Sequence, residues 1–274
     1  MKYWNEYIGH LPKIAGKRNK YDTNIYTFDI ETTSYIKLND KILEAKEYLN
    51  LTDNEKEIAE YNSTMYIWMF GINNNIYYGR TYKELEMFLL RLETWGTNYK
   101  KFVFVHNLSW EFEFLRNIFK FKKVKSRKNH KVMSCEIEEF NIEFRCSYYM
   151  TNAPLRKLPQ VYGLNAQKLV GELDYNKIRH SRTKLTEKEL KYCENDCLVV
   201  YEYIKRELET YESVKQTPLT STGHVRRELK EKIDKDYSYK NKVRRAINTD
   251  GHIYNLLLER ICRRIYTFKL DLYR

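Results

Sequence analysis

The acids of three short segments are the residues that could do chemistry together in this chain. Asp29-Ile30-Glu31 closes the β-rich run that starts at Ile25 and reads IYTFDIETT. Side chains alternate along a strand, so both carboxylates project to one face. Two acids facing one way at the end of a core strand are costly without a cation between them. Cation binding is therefore the chemistry this pattern offers, with a solvated strand end as the plain alternative. His106-Asn107-Leu108-Ser109-Trp110-Glu111 spans a strand end and a helix start. That places Asn107 and Glu111 at a strand's carboxyl end, where α/β sheets bind ligands. Tyr192-Cys193-Glu194-Asn195-Asp196 falls on a long helix, with Tyr192 and Asp196 four apart on one face. Taken singly, each segment also reads as structural.

The elements that must position these residues follow from periodicity. Residues 64–72 (TMYIWMFGI) and 75–80 (NIYYGR) read as a hairpin. Residues 81–95 place Leu85, Phe88, Leu89 and Leu92 at helical spacing. KFVFVHN (101–107) is a β-run buried on both faces, and LSWEFEFLRNIF (108–119) continues as a helix. Residues 121–150 read as two or three antiparallel strands, and NAPLRKLPQVYG (152–163) as a turn and a short helix. Thr186 and Glu189 form a capping box ahead of a helix whose apolar stripe is Leu190, Cys193, Cys197, Val200, Ile204 and Leu208. The fold class expected is α/β, a mixed sheet flanked by helices. Residues 35–62 read as a charged, partly helical insertion, and residues 1–24 as a loosely docked arm.

Composition narrows the partners. The net charge is +12, which favours an anionic partner through counterion release at phosphates and is also common where Lys codons are abundant. Residues 116–131 carry eight Lys/Arg and no acid, which reads either as a solvated hairpin tip or as a strand-guiding loop near DNA. Five scattered cysteines form no CxxC pair or Cys/His grid, so zinc is not expected; an odd count fits a reducing compartment. No apolar leader and no run of about 18 apolar residues is present, so no membrane partner is expected.

FDIETT, HNLSWEF and YCENDC resemble, in the same order, the three exonuclease motifs of family B DNA polymerases. Spacing and flanks are most similar to the phage and protein-primed members, and GELDYNK (171–177) resembles their segment before the third motif. The resemblance covers roughly residues 22–230. It implies a ribonuclease H-like (DnaQ-like) 3′→5′ exonuclease fold over 25–214. The implied reaction is metal-dependent proofreading hydrolysis of single-stranded DNA 3′ ends to nucleoside monophosphates. It implies two divalent ions, Mg²⁺ or Mn²⁺, with Asp29 bridging them, Glu31 and Asp196 completing the shell of the first ion and Glu111 holding the second ion, directly or through water. Tyr192 would orient the attacking water. Thr32, Phe104, His106, Asn107, Phe114, Leu155 and Tyr175 would contact the DNA end. A monomer in the cytoplasm of an infected bacterial host is implied, with other polymerase parts or replication proteins as further partners. Rival readings are a stand-alone repair or RNA-trimming exonuclease, and a catalytically weak single-strand binding module.

Two positions depart from the family pattern. Glu111 stands where the second motif normally ends in Asp, one methylene longer, with Trp110 beside it in place of Phe or Tyr. The lysine that precedes the Gly-acid-x-Asp-Tyr run in protein-primed relatives is Val170 here, and the nearest, Lys168, is doubtful in that role.

Residues 215–274 carry fifteen Lys/Arg against seven Asp/Glu and read as a basic helical lead-in to a polymerase palm that does not follow. RICRRIYTFKL (260–270) can be back-translated so that a one-base shift gives GFVGGYTHSN, similar to the glycine-rich motif ahead of the palm. The expectation is a frame shift near Glu259, with a split gene or a fragment as alternatives, and a poorly packed tail. With no acid-Thr-acid pair to hold palm metals, the purified chain is expected to give no primer extension. Extension by a preparation freed of contaminating polymerase would contradict this.

Overall fold

The computed structural model describes residues 1–18, 20–96, 98–167, 169 and 173–235. The tail expected to pack poorly, the frame-shift position and Lys168 lie outside the described residues. The elements in chain order are β1 (Lys2–Tyr3), β2 (Ile14–Ala15), β3 (Tyr21–Asp22), β4 (Tyr26–Leu38), β5 (Lys41–Glu44) and α1 (Asp53–Ile58). Then come β6 (Glu60–Ile72), β7 (Asn75–Gly79), α2 (Tyr82–Arg91), β8 (Lys101–Val105), α3 (Leu108–Leu115) and β9 (Phe121–Ser126). The remainder are β10 (Val132–Ile137), β11 (Ile142–Cys146), α4 (Ser147–Thr151), α5 (Leu158–Tyr162), α6 (Glu187–Thr210) and α7 (Ser221–Lys235).

Among the described residues the main sheet runs β1-β7-β6-β4-β8-β11-β10-β9, with β5 added beside β4. It is mixed: β8 pairs in parallel with both β4 and β11, and the flanking pairs β4·β6, β6·β7, β11·β10 and β10·β9 are antiparallel. Every residue of β8 is buried, Lys101 included, and the apolar run Phe102–Val105 suits a central strand.

Alternation along β6 shows how both faces are covered. Ile67 and Met69 pack with Tyr192, Cys193 and Cys197 of α6. Trp68 and Phe70 turn the other way and meet Phe88 of α2 with ring centroids 5.4 and 5.2 Å apart. Phe28 of β4 sits beside Phe70 on that second face. Asp29 pairs with Met69 across the ladder, so the odd-numbered side chains of β4 share the α6 face. Helices α2 and α6 have the caps their sequences call for: Thr81 with Glu84, and Thr186 with Glu189, each a reciprocal capping box.

Residues 35–62 are partly helical, as expected, with a 3-10 helix at Ala45–Asn50 and α1, but strands extend into both ends of the segment. β4 continues to Leu38 and β6 begins at Glu60, so the strands form one long ribbon paired out to Lys37↔Glu60. The six-residue α1 is the α-helix within it. Cross-strand pairing extends strand structure into a segment whose charge suggested otherwise, with Ile36 fully buried. Residues 1–24 are not loosely docked. β1 pairs in parallel with β7, and Tyr7 is fully buried. Asp22, also buried, accepts from Tyr26 Oη at 2.8 Å and from the backbone N–H groups of Lys13 and Asn24. His10 bridges the hydroxyls of Tyr7 and Tyr26, each at 2.7 Å.

The chain divides into two compact units. The first is residues 1–148 with 153–217 and contains the sheet. The second takes residues 149–152 and the described residues from Pro218, where α7 carries the pairs Arg227–Glu231 and Lys232–Glu228 at i,i+4 spacing. No helix among the described residues is long and apolar enough to cross a membrane. Cys135, Cys146, Cys193 and Cys197 are buried and form no disulfide.

Phe88 makes ring contacts with Tyr7, Trp68, Phe70 and Tyr77, joining arm, sheet and helix. Phe88→Ala should cost about 3–5 kcal/mol. Denaturant unfolding measures it, and a loss under about 1 kcal/mol would mean that this face is not the core.

Candidate functional site

Ligand oxygens of Asp29, Glu31 and Asp196 lie within 4.8 Å of one another. β4 supplies the first two on its α6 face, and a register irregularity directly after Glu31 marks where the strand leaves its regular pairing. α6 supplies the third one turn beyond Tyr192. Glu31 and Asp196 are buried, at 8% and 5% exposure.

Glu111 reaches the same place from a third element. β8 ends at Val105, and Asn107 takes a left-handed conformation (φ 74°, ψ 46°), so α3 starts at a sharp turn. Thr27 of β4 is paired with Phe104 of β8, which sets Asp29 level with the start of that turn. Glu111, in the first turn of α3 and 3% exposed, is hydrogen-bonded to Asp29. Two carboxyls joined this way share a proton in the absence of a cation. Burial, reinforced by the charge of Glu31, pushes the Glu111 carboxyl up to about 8. Its Oε2 is buried with no hydrogen-bond partner among the described residues.

The surroundings favour a hard cation. Cys193 and Cys197 flank the acids on α6, but burial first and the carboxylates next hold both thiols far above their usual range. They stay neutral and are poor ligands, leaving an all-oxygen set of the kind Mg²⁺ and Mn²⁺ take. Burial also raises the Tyr192 phenol, so it remains a hydroxyl. That hydroxyl hydrogen-bonds to Tyr175 Oη at 2.6 Å.

The other sequence-nominated residues divide. Tyr175 is 64% exposed and touches Tyr192. Asn107 is exposed at the turn, and His106, half-buried beside it, is held by Ser147 Oγ at 3.0 Å. Thr32 is half-buried, next after Glu31. Phe114 is half-buried against the exposed Trp110, with ring centroids 5.2 Å apart. Leu155 starts a 3-10 turn that packs against α6. Phe104 is different: it is fully buried in β8 and has no face to offer a base, because a central strand has core on both sides.

Arg179 was missed. It is 3% exposed and gives Nε and one terminal nitrogen to Glu189 Oε1 at 3.0 and 2.6 Å. Its other terminal nitrogen donates to the carbonyls of Asp174 and Lys177, and its N–H to Thr33 Oγ1. It thereby ties the segment carrying Tyr175 to both β4 and α6. The available signal was Glu189, whose capping role uses one oxygen and leaves the other open.

In EDTA, the Glu111 proton has a stability consequence. A carboxyl raised in the fold stabilises fully below its unfolded value near 4.5, and that contribution is lost as pH rises through about 8. Glu111→Gln, which cannot ionise, should flatten the decline. Its melting temperature should exceed the parent's by roughly 5 °C or more at pH 8.5 and by much less at pH 5. Parallel melting curves across that range would remove Glu111 from the pocket.

No protein-family profile and no curated protein matches the chain. Solved structures do. Phi29 DNA polymerase complexed with single-stranded DNA matches with a TM-score of 0.54 at 16% identity, over 77% of this chain and 35% of that one. The same polymerase with primer-template DNA and incoming nucleotides gives 0.55 at 16% identity, over 77% and 34%. Its post-translocation binary complex gives 0.54 at 16% identity, over 77% and 35%. The chain thus spans about a third of the length of these polymerases. What it has in common with them at this identity is the fold: a ribonuclease H-like α/β architecture, with a mixed sheet between helices.

Proposed function

We propose that this chain is a metal-dependent 3′→5′ exonuclease of the kind that proofreads in phage family B DNA polymerases, acting on single-stranded DNA ends. The observation that supports the reading is the clustering of Asp29, Glu31 and Asp196 from β4 and α6, with Glu111 of α3 hydrogen-bonded to Asp29. Such a cluster is costly unless protons or cations occupy it. Asp29, Glu31 and Asp196 would hold one divalent ion, and Glu111 together with Asp29 would hold a second. When bound, a pair of divalent ions supplies an activated water and charge stabilisation at the leaving 3′-oxygen.

The protein's own residues do the rest. Tyr192, kept protonated by its burial, offers a hydroxyl to orient the attacking water. Tyr175 sits over that hydroxyl and presents an exposed ring to a terminal base. Asn107 and Thr32 flank the pocket mouth with polar groups suited to sugar and phosphate. Glu111 in place of the usual Asp keeps the charge and the ligand type while adding one methylene.

The deciding experiment digests 5′-labelled single-stranded DNA with Mg²⁺, Mn²⁺ or EDTA. Mononucleotide release should need the metal and vanish in Asp29→Ala. Tyr192→Phe should lower turnover about a hundredfold or more while single-strand affinity holds nearly constant. Release that survives Asp29→Ala would end the assignment. Binding without any metal-dependent release would make the chain a single-strand binding module, and a preference for RNA ends would make it a trimming enzyme.

A further inference from the structure

A second charged feature lies away from the acids. Thr27 is level with Phe104, so Asp29 is level with residue 106, six residues beyond Lys100. At ~3.3 Å per residue this separates the acids from Lys100 by about 20 Å along the strands. At that far end a cleft of about 580 Å³ opens among the starts of β8, β9 and β11 and the end of β10. Six cationic side chains line it against two carboxylates, Glu136 and Glu143.

The carboxylates are fully used. Lys100 Nζ is 2.6 Å from each of them. Lys123 reaches Glu136 at 3.2 Å, and Arg145 reaches Glu143 at 2.9 Å. Three exposed lysines then remain with no carboxylate partner among the described residues: Lys20, Lys122 and Lys215. Lys20 stands 5.8 Å over the ring of Tyr99, and Lys215 stands 5.4 Å over Tyr21. A cation resting on an aromatic face keeps its whole charge, unlike one in an ion pair.

The spread of these charges says what they fit. Tyr21 bridges to Lys100 at the start of β8, and the sheet continues β8-β11-β10-β9 to Lys122. Four inter-strand steps of ~4.8 Å put about 19 Å between the two sides. That is too wide for one phosphate and suits an extended polyanion. The charge also continues. β9 is the sheet's edge and climbs from Lys122, opposite Glu136, to Ser126, opposite Val132. Lys125, Arg127, Lys128 and Lys131 are all exposed on it and its turn. The turn rests on α3, the helix that carries Glu111: Val132 N–H donates to Ser109 Oγ at 2.9 Å, and His130 Nδ1 lies 3.3 Å from Glu113.

We propose that this cleft and the edge strand β9 form a second binding track for the sugar–phosphate backbone of single-stranded nucleic acid, leading from α3 and the acid pocket to the far end of the sheet. The direction of the track toward the pocket rests on the exonuclease reading; the presence of a polyanion site does not. Exposed lysines on an edge strand also deter strand pairing, and that role alone would need no cleft.

The test measures anisotropy of labelled oligothymidylates of about 16 nucleotides in EDTA, a length within single-strand site sizes. The variant is Lys20→Gln/Lys122→Gln/Lys215→Gln, and a charge-matched control is Lys83→Gln/Lys188→Gln/Lys205→Gln. Affinity of the cleft variant should fall tenfold or more, and its log–log salt slope should shrink by about 2, the loss of three phosphate contacts. The control should keep both. With Mn²⁺, cleavage of an oligothymidylate of about 4 nucleotides should be unchanged, while KM for the long one rises. Equal losses in variant and control, or no loss in either, would overturn the proposal. So would polyglutamate competing as well as the oligonucleotide, which would mark a surface for acidic protein. Because the binding arm involves no turnover, a chain without nuclease activity would still show the track.

Discussion

Asp29, Glu31 and Asp196 cluster with Glu111 hydrogen-bonded to Asp29, and at such range these acids cannot all be ionised without a cation or a proton among them. The rest of the structure bears this repulsion. Asp29 and Glu31 are held by a strand locked between β6 and β8, Glu111 by a helix that begins at a forced turn, and Asp196 by the middle of a 24-residue helix. None of these can move away without breaking ladder hydrogen bonds or the core beneath. Burial accordingly raises the Glu111 carboxyl, and its Oε2 has no hydrogen-bond partner among the described residues.

That rigidity comes from covering both faces of the sheet. Aromatic packing on the α2 side, centred on Phe88, fixes the even-numbered residues of β4 and β6. The odd-numbered residues face α6, where small cysteines let the helix approach closely enough for Asp196 to join the acids. Larger side chains at Cys193 or Cys197 would lift α6 and open the cluster. The Arg179–Glu189 pair performs a related task for the segment before α6. A buried pair of this kind is weak evidence for stability, but its hydrogen bonds to Thr33, Asp174 and Lys177 fix one conformation near Tyr192.

Charge is segregated along the strands. Acids gather at the carboxyl end of β8 and cations at its start, with the basic edge strand β9 running between the two ends. An acidic pocket alone would repel a polyanionic strand. Cations set at a distance can attract a polyanion without neutralising the acids themselves.

The sequence by itself determined the alternation that puts Asp29 and Glu31 on one face, the apolar β8, the Thr186 cap, and the pairing of Tyr192 with Asp196 one turn apart. These are local, set by strand and helix periods and by caps that reach three residues. The order of three motifs added the expectation that their acids act together. Only the tertiary structure decided that Glu111 touches Asp29, since residues 82 positions apart meet through a strand register and a left-handed turn at Asn107. It decided that Phe104 is core, because a run such as KFVFV does not say which neighbours cover it. The strand ribbon at the two ends of residues 35–62, and the packing of Tyr7 and the pairing of β1 in the first 24 residues, were hidden for the same reason: β pairing is non-local, and charge along a segment is no guide to the partner opposite. The basic cleft was legible in part, as the run 116–131. Its other side, Lys20 and Lys215, comes from opposite ends of the first unit and is brought near that run by the closing of the sheet.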